Sequence, residues 1–237
     1  MRDYGIKATF YIVTSRIGKL GSFGWEEIKD LHREGNEIGS HTHTHPRLTR
    51  ISGDRVNLEF KKSQEILKRF GCRTLAYPYG ECNSNTVELA KKYFSAARGY
   101  YNTVTENGDF GYNVGLDSEL YNLKVFSSET SPLLELPFSE FKANFNRAME
   151  IGINKKAWVI FVFHGLGKTA LKNVVYALSK GKPNLAVNFT KDLIVTRDKL
   201  SKLRWMCEHL RDCDQLDTVT VSEGSSKIFG NEPKQII

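Results

Sequence analysis

The stretch Gly35-Asn-Glu-Ile-Gly-Ser-His-Thr-His-Thr-His-Pro46 places three of the chain's six histidines within five residues. Its first part, Asn36 to Ser40, is a short segment around Ile38 that follows a glycine, and it predicts a β-strand running directly into His41. The polar threonines and Pro46 indicate that the strand ends there. We therefore expect a cluster of histidines at the end of a strand.

Two backbone arrangements of this segment differ in which histidines meet. If it stays extended, His41, His43 and His45 share one face; if it turns, as Pro46 suggests, His41 and His45 at i and i+4 converge and His43 points elsewhere. Two neutral imidazoles held together suit zinc or another borderline divalent ion, and a catalytic zinc also needs a third protein ligand and an open position for water. A solvated polar loop is the alternative, and the H-x-x-x-H spacing at a strand end favours metal binding.

Short apolar runs alternate along the chain with longer amphipathic ones, which is typical of parallel strands joined by crossover helices. The predicted strands are Lys7–Val13, Asn36–Ser40, Thr74–Tyr77, Ser95–Arg98, Tyr121–Phe126, Ala157–Phe163 and Asp217–Val221. The predicted helices are Trp25–Arg33, Leu58–Phe70, Ser84–Tyr93, Pro137–Ile151 and Asp198–Arg211. Tyr100–Leu123 and Gly165–Asp192 are predicted to be long loops. At 237 residues, a single α/β barrel and two smaller domains both fit the length.

Further polar residues follow two other predicted strands. Pro78-Tyr79-Gly80 comes after Thr74–Tyr77, and His164 comes after the apolar run Ala157–Phe163. The carboxyl ends of parallel strands meet at one edge, where α/β proteins build their active sites. A histidine there can serve as a general acid or base because imidazole titrates near neutrality, although a half-buried histidine bonded to a carbonyl fits the sequence as well.

Charge and hydropathy exclude several classes of function. The net charge is +7, but the basic residues are scattered and usually stand beside acidic ones, which indicates solvated faces and no nucleic-acid-binding stripe. No apolar run approaches the roughly 20 residues of a membrane span. Residues 1–5 carry no apolar signal core. We leave the location open between the cytoplasm and the cell envelope or exterior.

The four cysteines, Cys72, Cys82, Cys207 and Cys213, have no zinc-ribbon or C-x-x-C spacing. We expect free buried thiols. Local bridges between Cys72 and Cys82, and between Cys207 and Cys213, are the alternative if the protein is exported.

Taken in order, these motifs resemble the polysaccharide deacetylase family, carbohydrate esterase family four. Gly35 to Pro46 is similar to its histidine motif almost residue for residue. Lys7–Val13 resembles the family's second strand, and Leu75–Gly80 resembles its third motif. Phe161–Gly165 resembles its last motif, and Thr218–Glu223 resembles its closing strand. It spans nearly the whole chain.

The resemblance implies one domain over residues 1–237 with a distorted (β/α) barrel, and hydrolysis of acetyl groups, most often N-acetyl groups, from a carbohydrate. It implies that His41 and His45 bind the metal, most often zinc, with nickel or cobalt as alternatives. The backbone N–H of Tyr79 would form part of the oxyanion hole, and His164 would be the general acid. The number of subunits stays open.

The sequence departs from the family pattern in three places. The family's paired aspartates, which supply the catalytic base and the third metal ligand, lie on a strand that would precede Lys7–Val13, so we expect this chain to lack that first strand. The family's third motif commonly carries an arginine where Ala76 stands. For the motif whose aspartate supports the acid histidine, Asp109 and Asp117 are the candidates.

These departures leave an alternative to the enzyme, namely a non-catalytic relative that binds glycan or an inactive fragment. Tyr101, Tyr112 and Tyr121 are candidates for stacking on sugar rings, and packing in the core is the alternative for each. The sequence does not distinguish chitin-like, peptidoglycan, xylan or other acetylated glycans.

Overall fold

Four parallel strands form the central sheet of the protein. The computed structural model describes residues 2–19, 21–99, 112–113, 120–126, 133–163, 198–214 and 216–230. The strands follow one another in the sheet in chain order: β1 (Thr9–Ile12), β2 (Glu37–Ser40), β3 (Thr74–Ala76) and β4 (Ala96–Arg98). Isolated parallel bridges, from Arg98 to Leu123 and from Phe126 to Phe161, continue this order. The predicted parallel α/β class is confirmed.

Helices connect the strands and follow the sheet. Their bounds are α1 (Trp25–Arg33), α2 (Gly53–Leu67), α3 (Ser84–Ala90), α4 (Phe138–Lys155), α5 (residues 198–211) and α6 (Val221–Phe229). Helix α1 has the predicted bounds because its ends carry clear signals. The Glu27 carboxylate accepts a hydrogen bond of 2.8 Å from the backbone N–H of Gly24, and Gly35 takes the left-handed conformation just after the helix, at φ 82°.

The main core lies between the sheet and helices α1 to α3. Ile38 of β2 and Leu75 of β3 are fully buried, and so are Ile28 of α1 and Val56 and Phe60 of α2. Burying aliphatic and aromatic side chains of this size is the dominant favourable term in folding. This packing fixes α2 against β2, and therefore against the loop that follows β2.

The N-terminal end of α2 differs from the prediction. The helix begins at Gly53 and not at Leu58, and it ends at Leu67, where a 3-10 turn, Lys68–Phe70, leads to Gly71. Leu58, the first residue of the predicted helix, is 48% exposed. The buried stripe instead runs through Val56, Phe60, Ser63 and Leu67, together with Glu59.

The predicted last strand, Asp217–Val221, is wrong. Residues 216–220 form neither strand nor helix, and Val221 is the first residue of α6. Thr220 caps this helix: its hydroxyl accepts a hydrogen bond from the backbone N–H of Glu223, and the Glu223 carboxylate accepts one of 2.8 Å from the backbone N–H of Thr220. This capping box is favourable enough to overcome the β-propensity of the Thr-Val-Thr-Val run.

The other predicted elements differ from the structure mainly at their ends. Two predicted strands form isolated β-bridges and not an extended ladder. They are Tyr121–Phe126 and Ala157–Phe163. Helix α3 ends at Ala90 and α4 extends to Lys155. All four cysteines are free thiols, as expected, but only Cys72 and Cys207 are buried, and Cys82 and Cys213 are half-buried. Within the described ranges, no helix combines the length and apolar character needed to cross a bilayer.

Gly39 of β2 is required by the packing of its neighbour. A Cβ atom on Gly39 would lie 2.6 Å from Cε1 of Tyr11, its register partner on β1. We predict that Gly39→Ala lowers the free energy of unfolding by about 1–3 kcal/mol, because the tyrosine ring must shift within a packed interior. Urea unfolding of both proteins measures this.

Gly53→Ala is the matched control for Gly39→Ala. At the first position of α2 the nearest atom to a new Cβ is the Asn85 side-chain nitrogen at 3.4 Å, so we expect a stability equal to or above that of the wild type. Equal unfolding midpoints for Gly39→Ala and the wild type would contradict the prediction.

Candidate functional site

The candidate site lies where β2 and β3 end side by side. Ser40 and Leu75 are register partners on these parallel strands, so the residues that follow them emerge at the same edge of the sheet. On β2 the next residue is His41. On β3 the chain continues through Ala76 and Tyr77 into a short 3-10 turn, Pro78–Gly80.

His41 and His45 face each other across the loop that follows β2. Their Nε2 atoms are 3.2 Å apart. The Nδ1 atom of His41 lies 2.7 Å from the carbonyl oxygen of Ala76, which can only accept, so Nδ1 carries the proton and the Nε2 lone pair of His41 is directed toward His45. Two nitrogens bound to one tetrahedral zinc at about 2.0–2.1 Å would lie roughly 3.3 Å apart, so the observed separation fits shared binding of such an ion.

His43 takes part in a different contact. Its Nδ1 atom lies 2.9 Å from the hydroxyl of Thr14, which follows β1, and its carbonyl accepts a hydrogen bond of 2.9 Å from the backbone N–H of Ser15. The loop therefore has the turned arrangement of the two considered from the sequence. His41 and His45 converge, and His43 attaches the loop to the end of β1.

Three non-glycine residues around the histidine pair have left-handed backbone conformations. These are Thr42 at φ 64°, His45 at φ 66° and Tyr79 at φ 58°. Such conformations are rare, especially for a β-branched residue such as Thr42, and they persist only when surrounding contacts hold them. Thr42 is fully buried, and its hydroxyl accepts a hydrogen bond of 3.0 Å from the backbone N–H of His45.

Tyr79 forms the exposed wall beside His45. Its side chain is 53% exposed, and its ring centroid lies 4.8 Å from that of His45. The guanidinium carbon of Arg47 lies 4.2 Å from the centre of the tyrosine ring, and Arg47 is also paired with Glu81. These contacts hold an aromatic ring and a guanidinium group at the rim of the histidine site.

A cavity of about 500 Å³ adjoins the histidine pair. His41 contributes to its lining, together with Tyr11 of β1, Arg98 of β4 and Trp158. This volume lies within the range of small-molecule sites, and a largely apolar wall with a few polar groups is typical of them.

Three of the four cysteines are unsuited to nucleophilic chemistry. Burial raises the pKa of the thiols of Cys72, Cys82 and Cys207 above the usual range. A thiol with a raised pKa stays protonated near neutral pH, and the thiolate is the reactive form. Chemistry at this edge therefore depends on the imidazoles and on backbone groups.

Several predicted site residues lie outside the part of the chain that the structure describes, namely His164, Tyr101, Asp109 and Asp117. Tyr112 and Tyr121 are described. The hydroxyl of Tyr121 donates a hydrogen bond of 2.9 Å to the carbonyl of Phe94, and its ring packs against the main core, as in the core-packing alternative.

Within the described residues, no group of three or more His, Cys, Asp and Glu side chains is placed to hold a metal ion. In this part of the chain the histidine pair offers two candidate ligands. Sequence reasoning did not identify Glu59, Arg47 or the strained backbone of Thr42 as parts of the site. Only Glu59 leaves a signal in the sequence, because it is an acidic residue next to apolar positions of the buried helical stripe.

Comparison with known proteins gives a family match over the N-terminal part of the chain. Residues 1–96 match the sequence model of the family described as polysaccharide deacetylase. A peptidoglycan-N-acetylglucosamine deacetylase from Bacillus cereus is 29% identical over 93 residues, which are 38% of this chain and 32% of that protein. A chitin deacetylase from Arthroderma benhamiae is 33% identical over 63 residues, which are 27% of this chain and 17% of that protein. The chain therefore spans no more than about a third of the length of these relatives.

A crystal structure of a candidate polysaccharide deacetylase from Mycobacterium smegmatis extends the likeness in fold to almost the whole chain. The match covers 96% of this chain and 73% of that one, with a TM-score of 0.62 and 15% sequence identity. At this identity the comparison concerns fold alone. It confirms the predicted fold class, the α/β architecture of the polysaccharide deacetylases.

The contact between His41 and Ala76 predicts a single tautomer. In metal-free protein, at a pH where imidazole is neutral, we expect His41 to carry its proton on Nδ1, because the carbonyl of Ala76 needs a donor. Two-bond proton–nitrogen correlation spectra of the histidine rings distinguish the tautomers. His32, exposed on α1, is the control and should show averaging of both forms. A proton fixed on Nε2 of His41 would contradict the expected geometry.

Proposed function

Because residues 1–96 of this chain match the sequence model of the polysaccharide deacetylase family, we propose that the protein is a metal-dependent hydrolase that removes acetyl groups, N-acetyl groups in particular, from a carbohydrate. The observation that carries the proposal is the facing pair of Nε2 atoms of His41 and His45, 3.2 Å apart. The names of the bacterial and fungal relatives, which describe deacetylation of acetylated glycans, support the substrate class.

The residues present fit a borderline divalent ion. Imidazole suits zinc, nickel and cobalt, and the bond from His41 Nδ1 to the Ala76 carbonyl is the kind of outer contact that orients a metal-bound histidine. His41 and His45 would hold the ion, with further ligands from solvent or from outside the described residues. When bound, such an ion polarises an acyl oxygen and lowers the pKa of bound water.

The other groups of the site act on the substrate. The backbone N–H of Tyr79 would donate a hydrogen bond to the acetyl oxygen as negative charge develops there. His164, directly after the segment that borders the cavity, would donate a proton to the departing amine. The cavity beside His41 would receive the acetyl group and part of the sugar.

Bound metal can be tested without knowledge of the substrate. We predict near-stoichiometric zinc, nickel or cobalt in the purified protein by elemental analysis, and loss of that metal in the double variant His41→Ala, His45→Ala. His32→Ala, at an exposed position on α1, is the control and should retain the metal. Absence of bound ion in the wild type after loading would refute the metal-dependent mechanism.

Acetate release tests the reaction itself. We predict release of acetate from N-acetylated oligosaccharides, abolished by a chelator and restored by adding the ion. His164→Ala should lower kcat by about 10²–10⁴-fold, the range typical of losing a general acid, while metal content stays unchanged.

Acetylated xylan and peptidoglycan fragments complete the substrate panel for this assay. A metal-loaded protein that binds these glycans and releases no acetate from any of them would identify the non-catalytic alternative.

A further inference from the structure

Glu59 is a buried acidic residue on α2 that does not line the cavity beside His41. The residue is 8% exposed and belongs to the stripe by which α2 packs on the protein. Its carboxylate accepts two hydrogen bonds from Thr44, one of 2.7 Å from the backbone N–H and one of 2.6 Å from the hydroxyl. Both carboxylate oxygens are used, which is what a buried carboxylate requires.

One helical turn further along α2, Ser63 holds the other end of the same loop. The hydroxyl of Ser40 donates a hydrogen bond of 2.8 Å to that of Ser63, which in turn donates one of 2.9 Å to the carbonyl of Phe60. Ser40 directly precedes His41, and Thr44 directly precedes His45. Two positions four residues apart on the helix thus bind the residues before the two histidines of the pair.

The loop needs such attachments because its backbone is strained. Thr42 and His45 both have left-handed conformations, at φ 64° and 66°. Without external contacts the chain would leave these conformations and the imidazoles would separate. Thr14 and Ser15 hold the middle of the loop on the β1 side, and Glu59 holds it on the α2 side, next to His45.

We propose that Glu59 is a positioning residue for the metal site: by binding Thr44 on both carboxylate oxygens, it fixes the backbone that places Nε2 of His45 opposite Nε2 of His41. The proposal rests on the proposed function insofar as the pair binds a metal ion. It adds a residue of α2 to the site. The role requires two hydrogen bonds from this position to Thr44, with the side chain held by the packing of α2.

Three variants separate positioning from simple stabilisation. Glu59→Ala removes both acceptors, and Glu59→Gln keeps two hydrogen bonds, because its carbonyl can accept from the N–H of Thr44 while its amide donates to the hydroxyl. Glu65→Ala, at an exposed position of the same helix, is the matched control. Zinc affinity of the full chain is measured by competition with a chelator, and the folded fraction is measured by circular dichroism.

We expect Glu59→Ala to weaken zinc binding by about 10–100-fold, which is the usual cost of losing an outer contact to a metal site. The zinc affinities of Glu59→Gln and Glu65→Ala should stay within about three-fold of the wild-type affinity. Wild-type affinity in folded Glu59→Ala would overturn the proposal, since a merely structural residue leaves affinity unchanged. Equal losses in the Gln and Ala variants would overturn it too, because they would indicate an effect of charge. If Glu59→Ala does not fold, Thr44→Val against Thr44→Ser provides the same comparison on the loop side.

Hydrogen exchange in metal-free protein distinguishes a failure of this proposal from a failure of the proposed function. We expect the amides of Thr44 and His45 to lose protection in Glu59→Ala and to keep it in Glu59→Gln. Unchanged protection in Glu59→Ala would overturn the positioning role whatever the protein binds. A wild-type protein that binds no zinc while the exchange pattern is as expected would instead overturn the metal centre and leave Glu59 as the residue that shapes the loop.

Discussion

The hydrogen bond from His41 Nδ1 to the carbonyl of Ala76 joins the two strands on which the candidate site is built. It exists because β2 and β3 are parallel neighbours and end together, so the first side chain after β2 reaches the backbone at the end of β3. The bond uses Nδ1 of His41. Nε2, the nitrogen that would bind a metal ion, is directed toward His45. This one contact therefore sets the tautomer of His41 and the direction of its Nε2 atom.

Much of the N-terminal half could be predicted from sequence because its signals are local. Helix α1 has the expected bounds, with Glu27 marking its start and Gly35 following its end, and the run from Asn36 into His41 gave β2 to within one residue. The start of α2 was missed because Ser52, Gly53 and Asp54 have the composition of a turn, although Ser52 precedes the helix as its N-cap residue.

The remaining errors came from competition between signals. In residues 217–221 the β-branched run predicted a strand, but Thr220 and Glu223 stand in the spacing of a capping box, and this closer-range interaction decides the structure. In the site, the i and i+4 spacing correctly favoured convergence of His41 and His45. No sequence pattern indicated that Thr42, His45 and Tyr79 take left-handed conformations, because these depend on contacts with α2 and β1 that are distant in the chain.

Helix α2 packs in the core and binds the histidine loop through residues of one helical repeat. Val56 and Phe60 pack in the core, while Glu59 and Ser63 bind the histidine loop, and all four project correctly only when the helix keeps its rotation relative to the sheet. One residue inserted or deleted between Val56 and Glu59 would turn Glu59, Phe60 and Ser63 by about 100° relative to Val56. The core and the histidine loop therefore depend on the same spacing within this helix. Evolution can vary the exposed face of α2 freely, but it can change the spacing of the segment only together with the loop that carries the two histidines.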